Sequence, residues 1–383
     1  MENANSNFVE FYNSIGTMPV RNDITSKQFV TQRSFLYRSL GVPVNFMGGM
    51  KVLEFGPGGG YNATVLAQGS PMSEYWCIEA SQAGQVLIQD FFDKGLINAK
   101  RKVLVETDFL AFNSKESYDL VIAEGCIPGQ VNPEQTLYHL QKFVKKNGIL
   151  VITTTTKSSL LSEILRCCWA KIIRNEIPDE ALYMEFLTAK FTQHLEQLRC
   201  NTRLVEDWIA DVILQAWFIR RADFSLFQAS RILKQFELVN TNPQLFTDLS
   251  WYKTYTARRR NRVKLLREKE ALINLLLLDT RLSVESVITM EVRDLNEVNS
   301  RVTSVYDSAR DVLKSSNEVL DLGALCEDLT KLIALDVTPT LPTYKPLLEF
   351  LAFCQSKNKT KERMIEFSKW WGRGQQYASF VRF

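Results

Sequence analysis

Histidine is nearly missing from this chain of 383 residues: there are two, His139 and His194. The seven cysteines form no Cys-x-x-Cys pair, and with so few imidazoles this argues against a zinc centre or any other metal site, and against a disulfide framework. An odd, scattered set of thiols suits a reducing cytoplasm, where cysteine serves as a small core residue. An excess of one charge is also lacking. The formal net charge of +3 and the absence of a recognisable RNA-binding module argue against a nucleic-acid or membrane partner. Uninterrupted apolar runs such as Leu275–Leu278 are far too short to span a bilayer, so no transmembrane segment is expected. The polar N-terminus, residues 1–7, has neither the basic nor the apolar region of a signal peptide. What is present is an apolar content of 45%, ordinary for a chain that buries a core, and a length that suits two domains or one domain with a large extension.

The most informative stretch is Val52-Leu53-Glu54-Phe55-Gly56-Pro57-Gly58-Gly59-Gly60. It predicts a buried strand, a glycine turn and a helix over 61–68, an arrangement that lets a ligand approach the backbone closely. Glu54 would accept hydrogen bonds from a cationic ligand group. The dinucleotide fingerprint Gly-x-Gly-x-x-Gly fits at Gly56 and Gly58, but its third glycine falls on Tyr61, whose side chain would obstruct close helix–strand packing. A second strand, 75–79, ends in Glu79, placed to grip ribose hydroxyls; a nicotinamide cofactor and S-adenosylmethionine fit this equally. Further strands read over 103–109, containing Asp108, over 118–124, ending in Glu124, and over 149–155. An amphipathic helix reads over 137–146, with Lys145-Lys146-Asn147-Gly148 at its C-terminal end. One acid after an apolar run is most often a cap or a solvated residue. Four at successive strand ends of an alternating β/α chain point to the crevice where open parallel sheets bind ligands.

Glu54-x-Gly56-x-Gly58-x-Gly60, with Glu79, Asp108 and the 118–155 segment, resembles the class I S-adenosylmethionine-dependent methyltransferases over roughly residues 45–255. The resemblance implies an α/β, Rossmann-like sheet with an antiparallel final strand, and S-adenosylmethionine as cofactor. It places Glu54, Gly56, Gly58, Gly60, Glu79, Asp108, Phe109 and Glu124 around that cofactor, Asp108 at the adenine amino group and Phe109 beside the ring. The end of the fourth strand, Glu124 to Gly129, would face the methyl group and the acceptor. Glu124–Gln130, Arg203–Trp208 and Asp248–Lys253 also resemble segments of bacterial methyltransferases associated with surface-polysaccharide synthesis. The family members that methylate amino groups of bases carry Asn/Asp-Pro-Pro-Tyr/Phe after the fourth strand; Glu124-Gly125-Cys126-Ile127 departs from it and disfavours an adenine-amino acceptor.

Around this centre the expected organisation is a helical leader (1–45), a methyltransferase domain (46–256) with a helical insertion at about 158–221 forming a lid, and a helical extension (257–383). Tyr12 and Arg33 of the leader are candidates to cover the cofactor, though core packing or a surface salt bridge is the plainer role. A closing strand pair reads over 236–240 and 250–256. In the extension, Leu265, Leu272, Leu275, Leu276 and Leu282 form a core or dimer face, which leaves a homo-oligomer open. Arg258, Arg259 and Arg260 begin a basic cluster at an expected helix start, where cations oppose the helix dipole. A solvated face is the plain reading; the sharper one is a site for phosphate on the acceptor, which arginine's forked donors suit.

A hydroxyl acceptor would benefit from a general base. Candidates are Glu124, His139, His194 and Asp207, with a packed structural role the commoner fate of either histidine and helix capping the alternative for Asp207. The expected function is O-methylation of a sugar, glycan precursor or other small polar acceptor in the cytoplasm. N- or carboxyl-methylation of a small metabolite, and a non-catalytic cofactor-binding scaffold that recruits a partner through its helical tail, are the alternatives.

Overall fold

The computed structural model describes residues 6–16, 18–19, 21–68, 71–198, 201–215, 224–245, 253, 262–317 and 320–383. The leader forms two helices, α1 (Ser6–Ile15) and α2 (Lys27–Ser39). The alternating region then supplies β1 (Lys51–Phe55), α3 (Tyr61–Ala67), β2 (Met72–Ile78), α4 (Gln82–Asp93), β3 (Ala99–Val105), β4 (Tyr118–Ala123), α5 (Pro133–Leu140) and β5 (Val144–Thr154). The helix expected over 137–146 stops at Leu140, and Lys145-Lys146-Asn147-Gly148 belongs to β5 instead. β1 to β5 pair in parallel, in the order β3-β2-β1-β4-β5.

Their apolar runs are nearly continuous because both faces are covered. Side chains alternate along each strand. Val52, Leu120 and Ile122 join Tyr37, Leu66, Ile88 and Phe92 on one face. Leu53, Phe55, Val121 and Ala123 join Leu137, Phe143 and Phe227 on the other.

After β5 come α6 (Lys157–Glu176), α7 (Glu180–Leu195), α8 (Val205–Trp208) running into a π-helical turn (Ile209–Leu214), α9 (Leu226–Ile232) and β6 (Phe236–Asn242). The strand expected at 250–256 lies, Lys253 apart, outside the described residues. The helices that follow are α10 (Arg262–Arg267), α11 (Glu270–Leu278), α12 (Val284–Val287), α13 (Val292–Lys314), α14 (Gly323–Ile333), α15 (Tyr344–Gln355) and α16 (Ile365–Lys369). The chain then returns as β7 (Gln376–Arg382), antiparallel to both β5 and β6 and lying between them. The extension is therefore not purely helical: it supplies the last strand of the sheet.

Insertion and extension also share one core. Leu161, Leu165 and Ile173 of α6 pack with Val298, Val302 and Val305 of α13, with Phe350 and Phe353 of α15, and with Trp370. Leu275 and Leu282 are buried in that core and Leu272 and Leu276 pack against it, so these four leucines are interior; the side chain of Leu265 lies outside what is described. Among the described residues no helix is long and apolar enough to cross a membrane.

Candidate active site

The strand order reverses direction between β1 and β4, which opens a crevice beyond their carboxyl ends. At the end of β1 the chain turns through Gly56, Gly58 and Gly60 with φ of 62°, 60° and 77°. Gly56 is required twice over: its φ suits glycine, and a Cβ there would stand 2.9 Å from Phe109 Cζ and 3.2 Å from Cys126 Cβ. A second requirement lies in α4, where a Cβ on Gly84 would stand 2.7 Å from the Gly58 carbonyl oxygen and 2.9 Å from Glu79 Cγ. Nothing in the sequence pattern singles out Gly84.

Glu79 follows β2 directly and binds the turn. Its carboxylate accepts from Gly58 N at 3.1 Å, Ser81 N at 2.9 Å and Ser81 Oγ at 2.8 Å. Burial pushes its pKa up, against these bonds. Asp108 lies beyond β3 rather than in it, and its Oδ1 accepts from Leu110 N at 2.9 Å.

Two residues expected at the cofactor are buried in the sheet and its packing. Glu54 is 2% exposed and accepts a 2.5 Å hydrogen bond from Tyr75 Oη. It lies beneath the turn, because strand alternation sends its side chain to the sheet face rather than out of the strand end. Burial raises its pKa to about 7. Phe109 is also buried, edge-on to Phe55 at 5.6 Å between ring centroids, and supports Gly56 from behind.

At the end of β4, Glu124 Oε2 takes an ion pair from Arg33 of α2 and a 3.4 Å bond from Asn62 Nδ2 of α3. Arg33 also bonds Tyr37 Oη at 2.9 Å and lies 6.0 Å from the Tyr377 ring of β7. Glu124 Oε1 is buried and has no hydrogen-bond partner among the described residues. Next to it, Gly125 N donates to Thr153 Oγ1 of β5 at 2.8 Å. Arg33 is thus a buried partner of Glu124. Asn62 and Tyr377 carried no sequence signal, since neither lies in a motif and Tyr377 stands some 250 residues from Glu124.

The remaining base candidates are engaged elsewhere. His139 Nε2 lies 2.8 Å from the Phe112 carbonyl and its ring packs on Phe143. His194 is buried in the helical core, where its Nδ1 accepts from Arg166 Nε at 3.1 Å; burial and then the Arg166 charge hold its pKa well below the usual value, so it stays neutral. Asp207 is 3% exposed and grips Arg21 through the guanidinium and, at 3.0 Å, through the backbone N–H. It anchors the leader and is not free to act as a base.

Asp207 belongs to a clasp that closes the leader over the turn. Arg203 bonds the Pro19 carbonyl and pairs with Asp211 at 2.7 Å, and Tyr12 Oη donates to Asp211 at 3.0 Å. Asn13 Oδ1 accepts from Gln82 N at 2.9 Å. Met18 Sδ accepts from Ser81 Oγ at 3.4 Å, and Met18 Cε stands 3.2 Å from where a Gly58 Cβ would be. Of the basic cluster, Arg258, Arg259 and Arg260 lie outside the described residues; Arg262 donates to the Leu238 and Val239 carbonyls of β6.

A backbone cradle kept bare by glycines, a carboxylate beside it and an unpaired buried acceptor at the next strand end fit a ligand carrying ribose hydroxyls and a cationic group. Comparison with known proteins matches residues 33–239, more than half of the chain, to the model of a methyltransferase domain. Among solved structures, the chain is similar to magnesium protoporphyrin IX methyltransferase from Synechocystis PCC 6803 with bound S-adenosylhomocysteine (12% identity, 63% of this chain and 87% of that one, TM-score 0.35). It is also similar to the N-methyltransferase NodS from Bradyrhizobium japonicum WM9 in complex with S-adenosylhomocysteine (17% identity, 38% and 74%, TM-score 0.31). The [4+2]-cyclase SpnF is a further likeness (10% identity, 99% and 92%, TM-score 0.36). No curated protein matches.

Proposed function

This chain belongs to the methyltransferase-domain family as a class I S-adenosylmethionine-dependent enzyme, and from that premise we propose that it methylates a hydroxyl of a sugar, a glycan precursor or another small polar acceptor. Bound S-adenosylmethionine supplies a methyl group already activated on a sulfonium, so positioning contributes much of the catalysis. The backbone of Gly56, Gly58 and Gly60 gives it close approach, Glu79 receives the ribose hydroxyls, and Asp108 lies toward the adenine.

The acceptor reading rests on Glu124. Arg33 and Asn62 fix one of its oxygens, and the other is buried without a partner. An oriented carboxylate of this kind accepts the hydrogen bond of a substrate hydroxyl and takes its proton as the oxygen is methylated. Arg33 holds the carboxyl in position and does not touch the substrate. A phosphate on the acceptor belongs to the same proposal.

Glu124→Gln keeps the shape and removes the base. Turnover in radiolabelled methyl transfer to a panel of sugars, nucleotide-sugars and glycans should fall by about 10²–10⁴, with S-adenosylhomocysteine affinity held within a few-fold. Unchanged turnover removes Glu124 from the base role. Lost cofactor affinity reassigns it to the cofactor's ammonium group. Transfer confined to amines or carboxylates rejects the hydroxyl reading.

A further inference from the structure

A second polar cavity opens at the carboxyl edge of the sheet, beyond β5. It has a volume of about 520 Å³ and lies between the starts of α6 and α9 and the helices α10, α11 and α13. That volume lies within the range of small-molecule sites, roughly 300–1,000 Å³. Lys157, Arg231 and Arg267 line it, against one lining carboxylate, Glu270. Arg231 and Arg267 have no ion-pair or hydrogen-bond partner among the described residues, whereas Lys157 pairs with Asp307 at 2.8 Å. Two exposed arginines alone would be an ordinary solvated surface.

Two groups buried in the walls of the cavity are not ordinary. Ser158 lines the cavity, is 5% exposed, and its hydroxyl has no partner among the described residues. It stands in the first turn of the 20-residue helix α6. There Thr156 and Ser159 cap each other, while the N–H groups of Lys157 and Ser158 have no intrahelical acceptor. On the opposite wall Asn299 donates to the Ala271 carbonyl at 2.8 Å, and its Oδ1 is buried and unpartnered. One side therefore offers cations and donors, which suit an oxyanion. The other offers an acceptor, which needs a hydroxyl or amino donor.

We propose that this cavity binds a phosphorylated sugar or polyol, with the phosphate against Ser158, Arg231 and Arg267 and a hydroxyl on Asn299. Resting on the methyl-transfer reading above, this ligand is the methyl acceptor. Thr153, which holds the Gly125 N–H beside Glu124, precedes the α6 cap Thr156 by three residues, a span of at most roughly 11 Å. A sugar anchored by its phosphate in the cavity presents a distal hydroxyl toward Glu124.

Calorimetric titration of the full chain at low ionic strength tests this with glucose 6-phosphate, glucose, inorganic pyrophosphate and, separately, S-adenosylhomocysteine. Glucose 6-phosphate should bind at least about ten-fold more tightly than glucose and be displaced by pyrophosphate. Arg231→Gln combined with Arg267→Gln should weaken it by about ten-fold or more, and Glu270→Gln should tighten it. Equal binding of sugar and sugar phosphate overturns the inference, as does a double variant that binds like the wild type. If the double variant does not fold, Glu270→Gln decides, and unchanged or weaker binding there overturns it. Absent phosphate binding with intact S-adenosylhomocysteine binding defeats the cavity alone. Phosphate binding without S-adenosylhomocysteine binding defeats the methyl-transfer reading alone.

Discussion

Beneath the glycine turn, Glu54 is a carboxyl group shut off from water. Burial is the main cause of its rise from the usual 4.5 to about 7, and the Tyr75 hydrogen bond opposes it. Between those two pH values the folded chain holds a proton that the unfolded chain has released. Folding then takes up a proton, so this residue's contribution to stability is full below about 4.5 and is lost as pH climbs through about 7. The loss is of order 3 kcal/mol. Glu54→Gln removes the titration and keeps the shape. Urea unfolding near pH 5 and near pH 8 should show a drop in the wild type that is smaller by roughly 2–3 kcal/mol in the variant. Equal drops would assign the proton elsewhere. Glu54 also marks what can be read at this scale. Apolar runs ending in acids identified the four carboxylates, because strand-end chemistry is local. The partner of each side chain was not legible: Glu79 binds the glycine turn, Glu124 pairs with Arg33 of α2 and Glu54 accepts from Tyr75 of β2.

The leader and the π-helical turn meet through charge rather than apolar packing. Arg21, Arg203, Asp207, Asp211 and Tyr12 form the clasp, and releasing it would free Met18 from the turn. Asp207→Asn keeps the volume but weakens the grip on Arg21, a loss of about 1–3 kcal/mol for a charged hydrogen-bonded pair. Hydrogen exchange in α1 should then speed by about ten-fold or more, and S-adenosylhomocysteine should dissociate faster. Unaltered exchange would mean that the leader is held by its other contacts. The helical periodicity of the leader and insertion located these elements. Their mutual attachment was out of reach. Asp207 in isolation is equally a cap, a base or an anchor, and its partner Arg21 lies 186 residues away.

At the scale of the whole molecule, the helical insertion and the later helices are one body, and β7 stitches that body into the sheet. The resemblance supplied a final antiparallel strand but did not point to Gln376–Arg382, which fills that place between β5 and β6, since a strand paired on both sides carries no mark of its sequence-distant neighbours. Residues 33–239, the span of the family match, contain β5 and only the start of β6, without the strand that lies between them. A fragment cut to those residues should fail to give a cooperative urea transition or a native near-ultraviolet circular dichroism signal, whereas the full chain gives both. A folded fragment would show that β5 and β6 can pair or persist without β7. The same stitch imposes a timetable on synthesis. Between Asn242, which ends β6, and Gln376, which begins β7, a ribosome must add well over a hundred residues, taking about seven to thirty seconds. Throughout that interval the nascent chain carries two unsatisfied β edges, a standing invitation to chaperones and to mispairing with its neighbours on the same message.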